Sequence, residues 1–278
     1  RSYYVCVTYM KNLFYSLIVL TVTCGMNCYS QTISGNKSGH DYVDLGLPSG
    51  KLWATCNVGA TKPIEYGDYF AWGETEPKKI YSWENYKWGR DEGQFMTKYC
   101  TKTSEGKVDN KHELDKEDDA AFVNWGKDWR MPTAKEEEEL LEGCVWEWTN
   151  NHDGSGVAGR VGFSKTNSNI IFLPAAGYIS GEENSSLGSE GFYWSSSLFK
   201  NTMNGSYFLS FANYYIDWRG NKRYAGRSVR AVVNDHPVSK KIPQKRKRSD
   251  FYVSISQLRQ HSAFHLFHRV PSVASISS

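Results

Sequence analysis

Apolar residues along most of this chain come in short bursts that alternate with polar ones, and only twice do they recur at helical spacing. Val157, Gly159, Val161 and Phe163 alternate with Ala158, Arg160 and Gly162, the period-2 mark of a half-buried strand. Ile170-Ile171-Phe172-Leu173 is a continuous apolar run stopped by Pro174, which suits a strand buried on both faces. The stretches 191–198, 206–211 and 227–233 predict further strands, separated by Asn- and Gly-rich turns. Upstream, the runs 42–45 and 52–55 flank Leu47-Pro48-Ser49-Gly50. Proline presets φ there and glycine accepts a positive φ, so the pattern predicts a hairpin. The run 69–73 reads as another strand, and 74–112 as a long polar segment studded with aromatic residues. Two helices are predicted. One spans 115–125, with Ala121, Phe122 and Trp125 on one face and Gly126 as the stop. The other begins at Thr133, where Glu136 completes a capping box. Its run Glu136 to Glu139 reads as a solvated face at the positive end of the helix dipole. Helices early, many short strands later and no βαβ alternation predict an α+β fold.

Charge is uneven over the 278 residues. Residues 236–278 hold eight Lys/Arg against one acid, and 1–30 hold two Lys/Arg and no acid. That leaves 31–235 with 23 basic and 29 acidic side chains, a formal −6, which argues against a nucleic-acid partner. All ten Trp lie between Trp53 and Trp218, so that span has the material for a core. Met10-Lys11-Asn12 and the apolar run Leu13 to Thr23 read as a signal peptide, with Cys28 and Ser30 at the cleavage site before Gln31. The run is short of the roughly 20 apolar residues a spanning helix needs, so the mature protein is expected to lack a transmembrane span. A lipid anchor at Cys24 is disfavoured by Thr23 before it. The expected organisation is an over-extended start plus signal peptide over 1–30, a linker over 31–41, one domain over 42–235 and a basic disordered tail over 236–278.

Candidate chemistry is sparse. Cys56, Cys100 and Cys144 remain after signal removal, allowing at most one internal disulfide, and no CxxC or HxxxH spacing suggests a metal. Ser195-Ser196-Ser197 lacks the G-x-S-x-G elbow of a serine hydrolase. Asn151-His152-Asp153-Gly154 reads as a turn and lacks the spacing of a calcium loop. No catalytic residue, metal site or cofactor is therefore assigned.

Six ordered blocks carry a family resemblance. They are the opening from Leu47-Pro48-Ser49-Gly50-Lys51-Leu52-Trp53-Ala54-Thr55 to Gly59-Ala60, then Asp118-Asp119-Ala120-Ala121 and Trp129-Arg130-Met131-Pro132-Thr133, followed by Phe172-Leu173-Pro174-Ala175-Ala176-Gly177, Tyr193-Trp194-Ser195-Ser196-Ser197 and Gly226-Arg227-Ser228-Val229-Arg230. Together they resemble the Fibrobacter succinogenes major paralogous domain. The resemblance implies an exported or cell-surface bacterial protein. It also implies a fold similar to the C-type-lectin-like and formylglycine-generating-enzyme-like group, with two helices flanking irregular antiparallel sheets. The late paired cysteines of the formylglycine-generating enzymes are missing here. Of the sugar-binding triplets of calcium-dependent lectins, Glu76-Pro77-Lys78 and Val233-Asn234-Asp235 are only fragments.

Aromatic density remains as the positive signal. Trp83, Tyr86 and Trp88 sit in the polar 74–112 segment, and Tyr214, Tyr215 and Trp218 in a stretch read as the turn before the last strand. Exposed rings give a binder contact area at small entropy cost. The leading expectation is a non-catalytic module binding a glycan or surface protein through these six residues. Its rivals are an enzyme using Glu74, His152, Asp153 or Cys144, and a structural surface or adhesin subunit.

Overall fold

The computed structural model describes residues 30–234 apart from 200, 201 and 203, within one compact unit. The tail over 236–278, and the signal segment save for Ser30, lie outside the described residues. No helix among the described residues is long and apolar enough to cross a membrane.

Among these residues, fifteen short strands in five antiparallel sheets dominate. A five-stranded sheet runs in the order β1 (Gly35–Lys37), β2 (His40–Asp44), β3 (Leu52–Ala54), β15 (Val232–Val233) and β6 (Trp129–Arg130). One meander joins β7 (Cys144–Thr149), β8 (Gly159–Ser164) and β9 (Ile170–Pro174). A second joins β12 (Gly191–Leu198), β13 (Gly205–Phe211) and β14 (Ile216–Lys222). Two small ribbons pair β4 (Gly89–Arg90) with β5 (Phe95–Met96), and β10 (Tyr178–Ser180) with β11 (Glu183–Ser185). The α-helices are α1 (Ala120–Trp125) and α2 (Ala134–Gly143).

This is a mostly β protein, which overturns the expected α+β, C-type-lectin-like arrangement of two helices flanking sheets. Two causes are local. The helix predicted over 115–125 begins as a single 3-10 turn and breaks at Asp119, whose backbone is extended (φ −91°, ψ 112°). Asp119 then caps a helix of only six residues, accepting from the Phe122 amide. In addition, 144–149 and 216–222 form strands that the apolar pattern did not mark. The run 69–73, predicted as a strand, makes one bridge, Phe70 to Arg227. Residues 31–41 are not a linker: β1 lies in them, and the Thr32 amide donates to the Ile170 carbonyl at 3.0 Å.

Other features follow the pattern. The hairpin pairs Val43 with Trp53 across the Pro-Ser-Gly turn. Thr133 caps α2 with its capping box to Glu136 complete. The Glu run is not a solvated face, however. Glu136 pairs with Arg130, Glu139 accepts from the Ser49 amide, and Glu137 is buried, with burial pushing its carboxyl well up.

The segment 225–233 is buried without interruption. Only its last two residues join a ladder; the rest of the strand expected over 227–233 binds a different neighbour at nearly every step. The carbonyls of Gly226, Arg227, Ser228, Val229 and Ala231 accept from Ile179, Phe70, Trp194, Val58 and Ala54, at 2.8–3.0 Å. The arginines along and beside it point inward. Arg230 donates to Asn57 Oδ1 (2.9 Å) and to the Ala54 and Thr55 carbonyls. Arg223 donates to the Tyr99 carbonyl at 3.0 Å and lies over Trp72. Arg227 is held between the rings of Phe208 (3.9 Å) and Trp194 (4.1 Å), and its Nε and Nη1 find no acceptor. Burial pushes its pKa down to about 9.

Two desolvated cation–π contacts contribute about 2 kcal/mol each. Desolvating the ion costs several kcal/mol, so the two nearly cancel and the filled volume decides the net effect. Arg227→Ala is therefore expected to lose roughly 2–5 kcal/mol in urea unfolding, and Arg227→Met, which keeps the volume, less than about 1 kcal/mol. Equal losses would show that the charge itself holds the rings.

Asp119 gives a second test. Its carboxyl also accepts from the Met131 amide (2.9 Å), tying α1 to the end of β6, and burial pushes its pKa from 3.8 up to about 6. The folded state thus holds this proton more tightly than the unfolded chain. The stability it contributes is complete below pH 3.8 and lost as pH rises through 6. Relative to Asp119→Asn, the wild type should gain on the order of 1–3 kcal/mol between pH 7 and pH 4. A gap that stays constant, measured by chemical unfolding at each pH, would contradict this.

Candidate functional site

The two aromatic groups have different fates. Trp83, Tyr86 and Trp88 pack inward on a small core with Tyr81, Met96 and Cys100. Tyr86 is buried and its hydroxyl donates to the Trp72 carbonyl at 2.8 Å, so it offers no ring face. Trp88 donates from Nε1 to the Gly73 carbonyl, and the ammonium groups of Lys87 and Lys98 lie 4.4 and 5.0 Å from its ring. Trp83 meets Tyr86 and Tyr224 edge to face. Its indole covers Gly93 so closely that a Cβ there would come within 2.5 Å. The long 74–112 segment uses these rings to build its own core, which corrects their reading as exposed platforms.

Tyr214, Tyr215 and Trp218 lie at and in β14, which is a strand rather than a turn. Strand alternation then separates them. Trp218 is opposite Leu209, and Gly220 is opposite Tyr207, so Trp218 and Tyr207 share one face of the β13–β14 hairpin. Their ring centroids are 5.3 Å apart, and Tyr207 meets Phe199 at 4.9 Å. Gly220 makes room for the row, since a Cβ there would sit 2.1 Å from Phe199 Cγ. Arg219 points to the opposite face, with its guanidinium 4.6 Å from the Tyr215 ring. The Tyr215 hydroxyl donates to Glu190 Oε1 at 3.2 Å. Tyr214 is 79 % exposed and Trp218 39 % exposed.

The result is a row of three rings, Phe199, Tyr207 and Trp218, carried on a sheet. Two of its members were not found by sequence reasoning. No local pattern marked them: Tyr207 shares its face of β13 with the buried Leu209 and Phe211, and only the register sets it opposite Gly220. Along β14, the Trp218 amide donates to Asp217 Oδ1 (2.8 Å) and the Lys222 amide to Asn221 Oδ1 (2.7 Å). Side chains of the strand itself thus occupy these two amides, which disfavours strand addition there and leaves the rings as the reactive surface.

The groups considered for catalysis are each engaged structurally. Ser195 Oγ donates to the Tyr207 carbonyl, and Ser197 Oγ accepts from the Ala134 amide. His152 is buried and stacked on Phe172 at 3.7 Å, and burial lowers its pKa. Asp153 accepts from Ser30, and Glu74 pairs with Lys78 at 2.9 Å. Cys144 is buried, which pushes its thiol up to about 12. Cys56, Cys100 and Cys144 are all free. Among the described residues, no three His, Cys, Asp or Glu side chains form a group able to hold a metal.

A family model for a domain of unknown function (DUF8237) matches residues 145–232. The match runs from β7 into β15 and contains the whole β12–β13–β14 meander with its ring row. No curated protein and no solved structure matches the chain.

Proposed function

We propose that this chain is a non-catalytic recognition module acting outside the bacterial cell, and that it binds a glycan through the Phe199–Tyr207–Trp218 row. The observation that carries the reading is Trp218, a large ring left 39 % exposed at the end of a ring row on a regular strand. The signal-like N-terminal segment and the six-block family resemblance support an exported protein.

Magnitudes favour more than one ring. A Trp face covering about 100 Å² of a sugar contributes roughly 2.5 kcal/mol at ~25 cal/mol per Å². Millimolar affinity needs about 4 kcal/mol, so Trp218 requires Tyr207 and a few polar contacts beside it.

The test is a glycan array probed with the full chain. Trp218→Ala and Tyr207→Ala should each abolish the hits, while Val123→Ser, an exposed apolar position elsewhere, should leave them unchanged. Glycan binding that persists in the Trp218→Ala, Tyr207→Ala double variant would refute the site. Absence of any glycan hit would refute the ligand class.

A further inference from the structure

A second site lies apart from the ring row. A cleft of about 300 Å³ opens between the 113–116 stretch, α1 and the chain leading into α2. That volume is at the lower end of small-ligand pockets. Leu114, Phe122 and Met131 form its apolar walls. Its charged lining separates into groups already committed and groups that are not. Asp119 at the floor spends both oxygens on backbone amides. Arg130 gives its terminal nitrogens to Glu136 and the Met131 carbonyl. Three lining groups make no hydrogen bond or ion pair with any described side chain: the Glu113 carboxylate, the Lys116 ammonium and the Ser196 hydroxyl. Lys116 leans over one wall, 5.9 Å from the Phe122 ring.

A carboxylate within electrostatic reach of Arg130 and an ammonium beside the Phe122 ring, neither hydrogen-bonded to a described side chain, thus flank one apolar-walled cleft, three residues apart in sequence. A purely anionic ligand would meet Glu113 and the acidic floor. A purely cationic one would meet Lys116 and Arg130. A ligand carrying both charges close together, with an apolar substituent, satisfies each group with its opposite. We propose that this cleft binds a free α-amino acid. The ligand carboxylate would face Lys116 and its ammonium Glu113. Ser196 would supply a hydrogen bond, and the side chain would lie between Phe122 and Met131. The inference is independent of the glycan reading.

The experiment is calorimetric titration of the full chain with L-leucine, alongside 3-methylbutan-1-amine and 4-methylpentanoate, which each keep one charge. L-leucine should bind saturably, and each single-charge analogue at least ~10-fold more weakly, equivalent to 1.4 kcal/mol. Lys116→Gln and Glu113→Gln, both at exposed positions, should each weaken L-leucine by a similar factor with an unchanged circular dichroism spectrum. Trp218→Ala should leave L-leucine binding intact, which separates this site from the ring row. No saturable L-leucine binding, equal binding of an analogue, or full affinity in both charge variants would overturn the proposal.

Discussion

The five-stranded sheet, the β10–β11 ribbon and the β12–β13–β14 meander are bonded to one buried length of backbone, 225–233, flanked by arginines on and beside it. Burying a backbone stretch away from water is costly unless its amides and carbonyls find partners. Most buried strands solve this with one neighbour on each side. Here successive carbonyls turn to the β2–β3 hairpin, to Phe70, to the β10 ribbon and to β12. The segment therefore acts less as a strand than as a shared edge for the sheets it touches.

The arginines complete this arrangement. Loops that curl around the segment leave carbonyls pointing inward, and a guanidinium can serve several of them at once. Arg230 holds the turn after β3 in that way, and Arg223 holds the chain at Tyr99. Arg227 differs, since its neighbours are ring faces rather than acceptors. Aromatic-rich sheets leave large gaps between rings, and a flat guanidinium fits such a gap without bending the backbone. The abundance of Trp and Tyr in this chain is therefore mainly a property of its core. Trp72, Trp129 and Trp194 are fully buried, and among the described residues few rings are exposed.

Legibility in the sequence followed the range of the forces involved. The β2–β3 hairpin, the α2 capping box and the Pro174 end of β9 rest on neighbours a few residues away, and they could be read. β14 could not. It is an edge strand with Asp217, Arg219, Asn221 and Lys222 exposed, so neither face carries an apolar alternation. The short α1 was overestimated because Asp115 to Asp118 looks like an acidic first turn, whereas Asp119 is needed as a cap and a tie to Met131. The inward packing of Trp83, Tyr86 and Trp88 depends on partners such as Tyr224, far along the chain, which no local pattern reveals. Of the candidate site, Trp218 was legible as a ring in a polar stretch. Its companions Tyr207 and Phe199 became visible only once register placed Gly220 beneath them.

The ring row proposed for recognition sits on a meander whose other face is anchored by Phe208 against Arg227. Rigidity at the ring row is inherited from the core segment behind it. Amide hydrogen exchange tests this dependence most directly. The amides of Ala54, Val58, Phe70 and Trp194, all bonded to the buried segment, should exchange only through global unfolding and share one slow rate. If they exchange early through local opening while β7, β8 and β9 stay protected, the buried segment is not what unites the fold.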